Sequence, residues 1–198
     1  MRVKRIFDLL FSCGGLLVLS PLLVVMAAGA AMDTGSTCFF VQYRVGQHGV
    51  LFRIYKLRTM CPKNQSISSF GHFLRRSKID ELPQLLNVLL GDMSFVGPRP
   101  DIAGYADVLP KRDQLLLTIK PGLTGLASLK YRQEEALLAT QNDPLHYNDT
   151  IIWPDKVRLN NWYAAHRSFS MDLLILWYTF LPFLSFEVEA YVKEKGGF

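Results

Sequence analysis

The chain has 198 residues, enough for one globular domain with an appendage and too few for two ordinary domains. Hydrophobic residues make up 49% and charged residues 20%, and the net charge of +5 suits an anionic partner: nucleic acid, phospholipid headgroups or phosphorylated small molecules. Cys13, Cys38 and Cys61 stand apart from one another, which argues against zinc or iron–sulfur ligation and against a disulfide framework, and fits a reducing, cytosol-facing compartment.

After Arg2, Lys4 and Arg5, residues 9–32 (LLFSCGGLLVLSPLLVVMAAGAAM) carry no charge. Roughly 20 apolar residues suffice to cross a bilayer. Ser20-Pro21 falls in the middle of the run, where proline removes a backbone hydrogen bond and clashes with the preceding turn. Each half then spans roughly 18 Å at 1.5 Å per residue, enough for one leaflet. Basic residues flank the run on both sides, so the positive-inside rule gives no translocation signal. The reading favoured is a re-entrant helix–break–helix that dips into one leaflet and returns. A kinked single span and a cleaved signal peptide are the alternatives.

Residues 37–45 and 50–57 are rich in β-branched and aromatic residues around Gln47-His48-Gly49 and predict a β-hairpin. Residues 61–69 predict a loop, and residues 70–90 a helix interrupted near Pro83, with a new helix over 82–90 that ends at Gly91. The proline- and glycine-rich stretch 94–101 reads as a rigid loop, 103–118 as helix, 120–129 as turns, 130–141 as helix, 142–156 as loop and 157–168 as helix. PQLLNVLLG and MDLLILWYTFLPFLSF carry surplus apolar surface and suit interfacial helices, the second with Trp177 and Tyr178 at headgroup level and a break at Pro182. A core position is the competing reading for the first. The fold expected is mainly α with a small β-hairpin (α+β): a membrane anchor over 1–35, a cytosol-facing catalytic domain over 36–186 and a tail over 187–198.

Chemically able residues concentrate between Arg53 and Arg99. Lys56, Arg58, Arg75, Arg76 and Arg99 are interleaved with Asp80, Glu81 and Asp92. Arginine forks bind phosphate oxygens, and carboxylates beside them bind a divalent metal or act as nucleophiles. The plainer reading is a solvated helix face, with Arg76 and Asp80 at ion-pair spacing.

The segments KRIFDLL, Ser20-Pro21, QYRVG, FRIYKLRTM, LRRSKIDELPQLLNVLLGDMSFVGPRP and KPGLTGLASL, in that order from about Lys4 to Thr179, resemble the bacterial sugar transferase family, the monotopic phosphoglycosyl transferases, in a minimal catalytic form. The resemblance implies that Ser20 and Pro21 mark the membrane break. It makes Asp80 the nucleophile on the β-phosphate of a UDP-sugar, releasing UMP and holding a covalent phosphosugar that undecaprenyl phosphate then accepts. Glu81 is implied as its helper through Mg2+ binding or proton handling, with Asp80 and Glu81 as the metal's ligands. Arg75, Arg76 and Arg99 are implied as phosphate contacts, with Lys56 and Arg58 shaping the same pocket.

The implied setting is the cytoplasmic face of the bacterial inner membrane, among membrane lipids and at the first membrane step of glycan assembly. Nucleic acid is not an expected partner, and homodimer formation is left open. The sequence departs from the family after the PGLTG element, at ASLKYRQEEALLATQ, where sugar identity is least readable. Asp172 meets the family's aspartate near the C-terminus, without a secure role. Two other readings compete: Asp80 as a metal ligand or base with both substrates bound together, and a non-catalytic scaffold that uses the basic residues for anionic lipids.

Overall fold

The structure, a computed structural model, describes residues 2–181, 183–184 and 186–197. The chain divides into two compact units: Met1–Arg44 with Leu51–Met93, and Val45–Val50 with Ser94–Phe198. Helix predominates, with small β elements, as expected.

The first unit opens with helix α1 (Arg2–Thr34). Its most apolar stretch is almost entirely unburied: Leu10, Phe11, Leu17, Val18, Val24, Val25 and Met32 are exposed, and α1 is long and apolar enough to cross a membrane. The break expected at Ser20-Pro21 takes another form, because helical backbone continues through both residues and Pro21 lies inside one helix. The physical reason is local. Pro21 has no N–H to offer the carbonyl of Leu17, and the Ser20 hydroxyl donates to that same carbonyl at 2.8 Å. The serine thus replaces the hydrogen bond that the proline removes, which matters most where no water can do so.

Both ends of α1 are tied to the body of this unit. The Arg5 guanidinium donates to the carbonyls of Val88 (2.7 Å) and Leu89 (2.9 Å), satisfying the open C-terminal end of helix α3 (Leu85–Leu90). At the other end the Ser68 hydroxyl donates to Asp33 at 2.6 Å and accepts from the Gly71 amide, capping helix α2 (Ser69–Arg76). Between these ties Gly15 packs against Leu85, and Gly29 faces the Phe70 ring, which lies only 2.9 Å from where a Cβ would sit. Strands β1 (Phe39–Val45) and β2 (Leu51–Leu57) form the expected hairpin.

The second unit holds a β pair that the sequence pattern did not announce. Strand β3 (Ser94–Val96) lies parallel to β4 (Gly122–Thr124), with Ser94 opposite Gly122 and Val96 opposite Thr124. The expected loops at 94–101 and 120–129 are therefore strands in part. The segment expected as a helix over 103–118 is instead three short 3₁₀ turns, Ala106–Val108, Lys111–Asp113 and Leu115–Thr118, with Pro110 between the first two. Helix α4 (Leu126–Lys130) lies mostly in the stretch expected as turns over 120–129, and α5 (Glu134–Ala139) lies within the helix expected over 130–141.

The expected loop over 142–156 is mostly helical: α6 (Pro144–Tyr147) continues through a π-helical turn (Asn148–Ile152) into α7 (Trp153–His166). Pro144 sits in the first turn of a helix, where a missing N–H costs nothing, and Pro154 lies at the start of α7, just after the π-helical turn. Helices α8 (Phe169–Phe180) and α9 (Val188–Glu194) complete the unit, and Pro182, expected to break the apolar stretch, lies outside the described residues. Val96, Leu126, Leu159, Trp162, Tyr163, Ile175, Val188 and Val192 share one buried cluster, so α9 contributes to the core.

Candidate active site

The first unit gathers most of the predicted site residues. Strand β2 presents Lys56, and Thr59 follows it; α2 presents Arg75 and Arg76. The chain then turns sharply at Lys78, whose backbone is left-handed (φ 59, ψ 16). That turn ends α2 and starts a 3₁₀ helix over Ile79–Gln84, which carries Asp80, Glu81 and Pro83. The α-helix expected from residue 82 begins at Leu85, so the dyad belongs to the tighter helix before it. The plain i,i+4 pair of Arg76 with Asp80 does not form among the described residues, because Lys78 separates their helices.

Asp80 is 8% exposed, and its Oδ1 is buried without any hydrogen-bond partner. Burial raises its pKa, and the charge of Glu81 adds to the rise, while Lys56, Lys78 and Arg75 pull the other way. A desolvated carboxylate oxygen without a donor keeps its lone pairs available for a metal ion or an electrophile. Glu81 is held apart by an ion pair with Lys56 at 3.0 Å. The Arg75 Nε donates to the Thr59 hydroxyl at 2.8 Å, which fixes the stem of its guanidinium. Gly71 lets α2 approach so closely: a Cβ there would lie 2.4 Å from the Thr59 carbonyl oxygen.

Arg58 and Arg99 are placed differently. Arg58 donates to the carbonyls of Thr37 (2.9 Å) and Phe39 (3.1 Å) and lies over the Phe40 ring, so its guanidinium fastens the start of the hairpin. Arg99 belongs to the second unit, exposed between buried Pro98 and Pro100. Its loop is stiffened by close backbone contact, since a Cβ on Gly122 would meet the Gly97 nitrogen at 2.1 Å and one on Gly125 the Gly97 oxygen at 2.4 Å. Asp172, also in that unit, is buried and accepts from the Tyr163 hydroxyl.

Two amides in the dyad's own stretch escaped the reading of the sequence. Asn87 is fully buried in α3; its Nδ2 donates to the Arg53 carbonyl at 2.6 Å and its Oδ1 accepts from the Tyr55 amide at 3.2 Å, pinning α3 to β2. Gln84 is 3% exposed and its Nε2 has no partner. The signal for both was a polar residue inside an apolar run, PQLLNVLLG. Most of that run is buried, with Leu86 and Leu90 exposed, whereas α8 keeps Trp177 and Phe180 on the surface.

Among the described residues no three His, Cys, Asp or Glu side chains gather for a metal. Asp80 and Glu81 alone fit Mg2+ only in the mode where one or two carboxylates share the ion with substrate phosphates, and the unpaired Asp80 Oδ1 is consistent with that mode.

Comparison with known proteins supplies the chemistry to set beside this geometry. The family described as "Bacterial sugar transferase" matches residues 1–185. The chain is 36% identical over 186 residues to the uncharacterized sugar transferase EpsL of Bacillus subtilis, covering 89% of this chain and 84% of that protein. It is 30% identical over 204 residues to the undecaprenyl-phosphate galactose phosphotransferase of Salmonella typhimurium, covering 89% of this chain but 39% of that longer protein. It is 36% identical over 162 residues to the UDP-glucose:undecaprenyl-phosphate glucose-1-phosphate transferase of Xanthomonas campestris, covering 73% of this chain and 34% of that protein.

Proposed function

The chain belongs to the bacterial sugar transferase family, and from that premise we propose that it moves a sugar-1-phosphate from a UDP-sugar to undecaprenyl phosphate, as the first membrane step of a bacterial glycan. The names of the Salmonella and Xanthomonas relatives support the lipid acceptor and the reaction class. The observation that carries the chemistry is the buried, unpartnered Asp80 carboxylate beside the Lys56–Glu81 ion pair.

In this reading an Asp80 oxygen attacks the β-phosphorus. The new Asp80–phosphorus bond forms as the bond to the α-phosphate bridge breaks, and UMP leaves with the electron pair. Lys56 and Arg75 offset the donor's charge, and Arg58 acts at one remove by fixing the hairpin that carries Lys56. Arg76 and Arg99 are proposed phosphate contacts. An oxygen of undecaprenyl phosphate then attacks the same phosphorus and frees Asp80. Mg2+, held by Asp80 and Glu81 with the diphosphate, would supply charge neutralisation. The two displacements let one phosphate-sized site serve both substrates in turn.

The setting follows from α1. Its two ends cap helices of one compact unit, through Arg5 and Asp33, while its middle exposes leucine, valine and phenylalanine. A helix tied at both ends to the same polar body suits a dip into one leaflet better than a crossing, and the cytoplasmic face of the inner membrane is the place of reaction that the family resemblance implies. The test is UMP release from a panel of UDP-sugars with Mg2+ and undecaprenyl phosphate. At least one donor yields lipid-dependent UMP that Asp80→Asn abolishes; full activity in that variant contradicts the proposal.

A further inference from the structure

Gln84 stands out in the dyad's 3₁₀ helix. Native structures pair nearly all buried polar groups, and leaving one unpaired carries a desolvation penalty. Here two unpaired groups of opposite kind occur in one six-residue element: the Asp80 Oδ1 acceptor and the Gln84 Nε2 donor. On a 3₁₀ helix residues four apart are offset by about 120° around the axis, so these two groups do not meet each other as they would on an α-helix. At about 2 Å of rise per residue they stand some 8 Å apart along the axis, a span that one phosphoryl group with its substituents can bridge.

Asn87, three residues on, shows what a structural amide looks like in the same stretch, with both its donor and its acceptor engaged by the backbone of β2. Gln84 does none of this. A residue of similar size without polar atoms would fill its place at no bonding loss.

We propose that Gln84 touches the substrate: its side-chain amide donates a hydrogen bond to a non-bridging oxygen of the phosphoryl group that Asp80 attacks, and holds it while the group is carried on Asp80. The inference rests on the covalent role proposed for Asp80. No proton is transferred; the amide only accompanies the making of the Asp80–phosphorus bond and the loss of UMP. The amide is a neutral donor, and its contact adds to those proposed for Lys56, Arg75 and Mg2+. Lys56 and Arg75 already have other partners in Glu81 and Thr59.

The experiment compares full-length wild type, Gln84→Met, Gln84→Glu and Asp80→Asn, reading UMP release from UDP-glucose, UDP-galactose and UDP-N-acetylgalactosamine with undecaprenyl phosphate, together with the melting midpoint. The inference predicts that Gln84→Met melts no lower than wild type while kcat falls on the order of 100-fold with little change in KM, the scale of losing one donor to a developing anionic oxygen. Gln84→Glu, which replaces the donor with a negative charge, falls at least as far. Turnover in Gln84→Met within a few-fold of wild type overturns the inference, since the unpaired amide then serves only a buried water. A clear drop in its melting midpoint overturns it as well, because the amide then belongs to the fold. Asp80→Asn separates the two claims: if it still releases UMP the covalent reading fails, and a stable, slow Gln84→Met still reports a donor to the phosphate.

Discussion

Two charged regions of this molecule are built on opposite plans. In the second unit Lys130 donates to Asp155 at 2.6 Å and to Glu189, and Arg158 donates to Asp155 at 2.5 Å and to Glu189 at 2.6 Å, joining α4, α7 and α9. The Tyr131 hydroxyl completes the set with a bond to Asp155 at 2.7 Å. Burial pushes the Asp155 carboxyl up, but the bonds from Lys130, Tyr131 and Arg158 outweigh it and hold the group below the usual carboxylate range. In the first unit Asp80 is the more deeply buried of the two, its Oδ1 has no donor, and its pKa rises. The contrast teaches a way to tell structure from chemistry. Where every lone pair is matched, charge holds elements together; where a buried carboxylate is left unmatched, its partner has to come from outside the protein.

The comparison can be broken from either side, and the largest expected effect is on the paired side. Asn87→Leu leaves the Arg53 carbonyl and the Tyr55 amide without partners and costs about 3 kcal/mol in chemical unfolding, with specific activity of the folded fraction kept; an unchanged midpoint would remove Asn87 as the standard against which Gln84 is judged. Asp155→Ala comes next. Its partners are partly exposed and screened, so about 1–2 kcal/mol is expected, visible as a lower melting midpoint at neutral pH. Because its folded pKa is lowered, that stabilisation is present above the ordinary carboxylate range and fades as pH falls through it, so wild type and variant converge in acid.

Asp80→Asn has the reverse sign. The raised folded pKa means that wild type is favoured by protonation at low pH and loses that advantage as pH rises from the ordinary carboxylate range through the higher folded pKa. The variant should therefore melt above wild type at neutral pH by about 1 kcal/mol, the low end for a buried unpaired group, and match it in acid. A lower melting midpoint at neutral pH would mean that the Asp80 carboxylate does hold the fold. The smallest effect is at Ser20→Ala, which orphans the Leu17 carbonyl inside α1. A loss of about 0.5–1.5 kcal/mol is expected, measured by thermal unfolding in detergent.

Much of this architecture was legible in the sequence because it follows local chemistry. Alternating aromatic and β-branched residues around Gln47-His48-Gly49 gave the hairpin, and the uncharged run gave α1. What stayed hidden depends on distant or conditional partners. Strands β3 and β4 are three residues each and pair across residues 97–121, beyond any local period. Pro144 and Pro154 read as loop until it is known that helices begin beside them. Pro21 reads as a break until the Ser20 hydroxyl is seen at Leu17. The site divided in the same way: residue types pointed to Lys56, Arg75, Asp80 and Glu81, which the first unit does gather. Nothing in the letters distinguished Gln84 from Asn87, since only the backbone of β2, reaching one and not the other, makes one amide structural.

The central claim is that Asp80 itself carries the phosphosugar. Its most direct measurement is UMP release in the absence of undecaprenyl phosphate, with intact mass taken on the same sample. The account predicts about one equivalent of UMP per protein, a matching phosphosugar adduct located on Asp80, and discharge of that adduct when the lipid is added. UMP that appears only when lipid is present, with no adduct at any time, would contradict it and return Asp80 to the role of metal ligand or base.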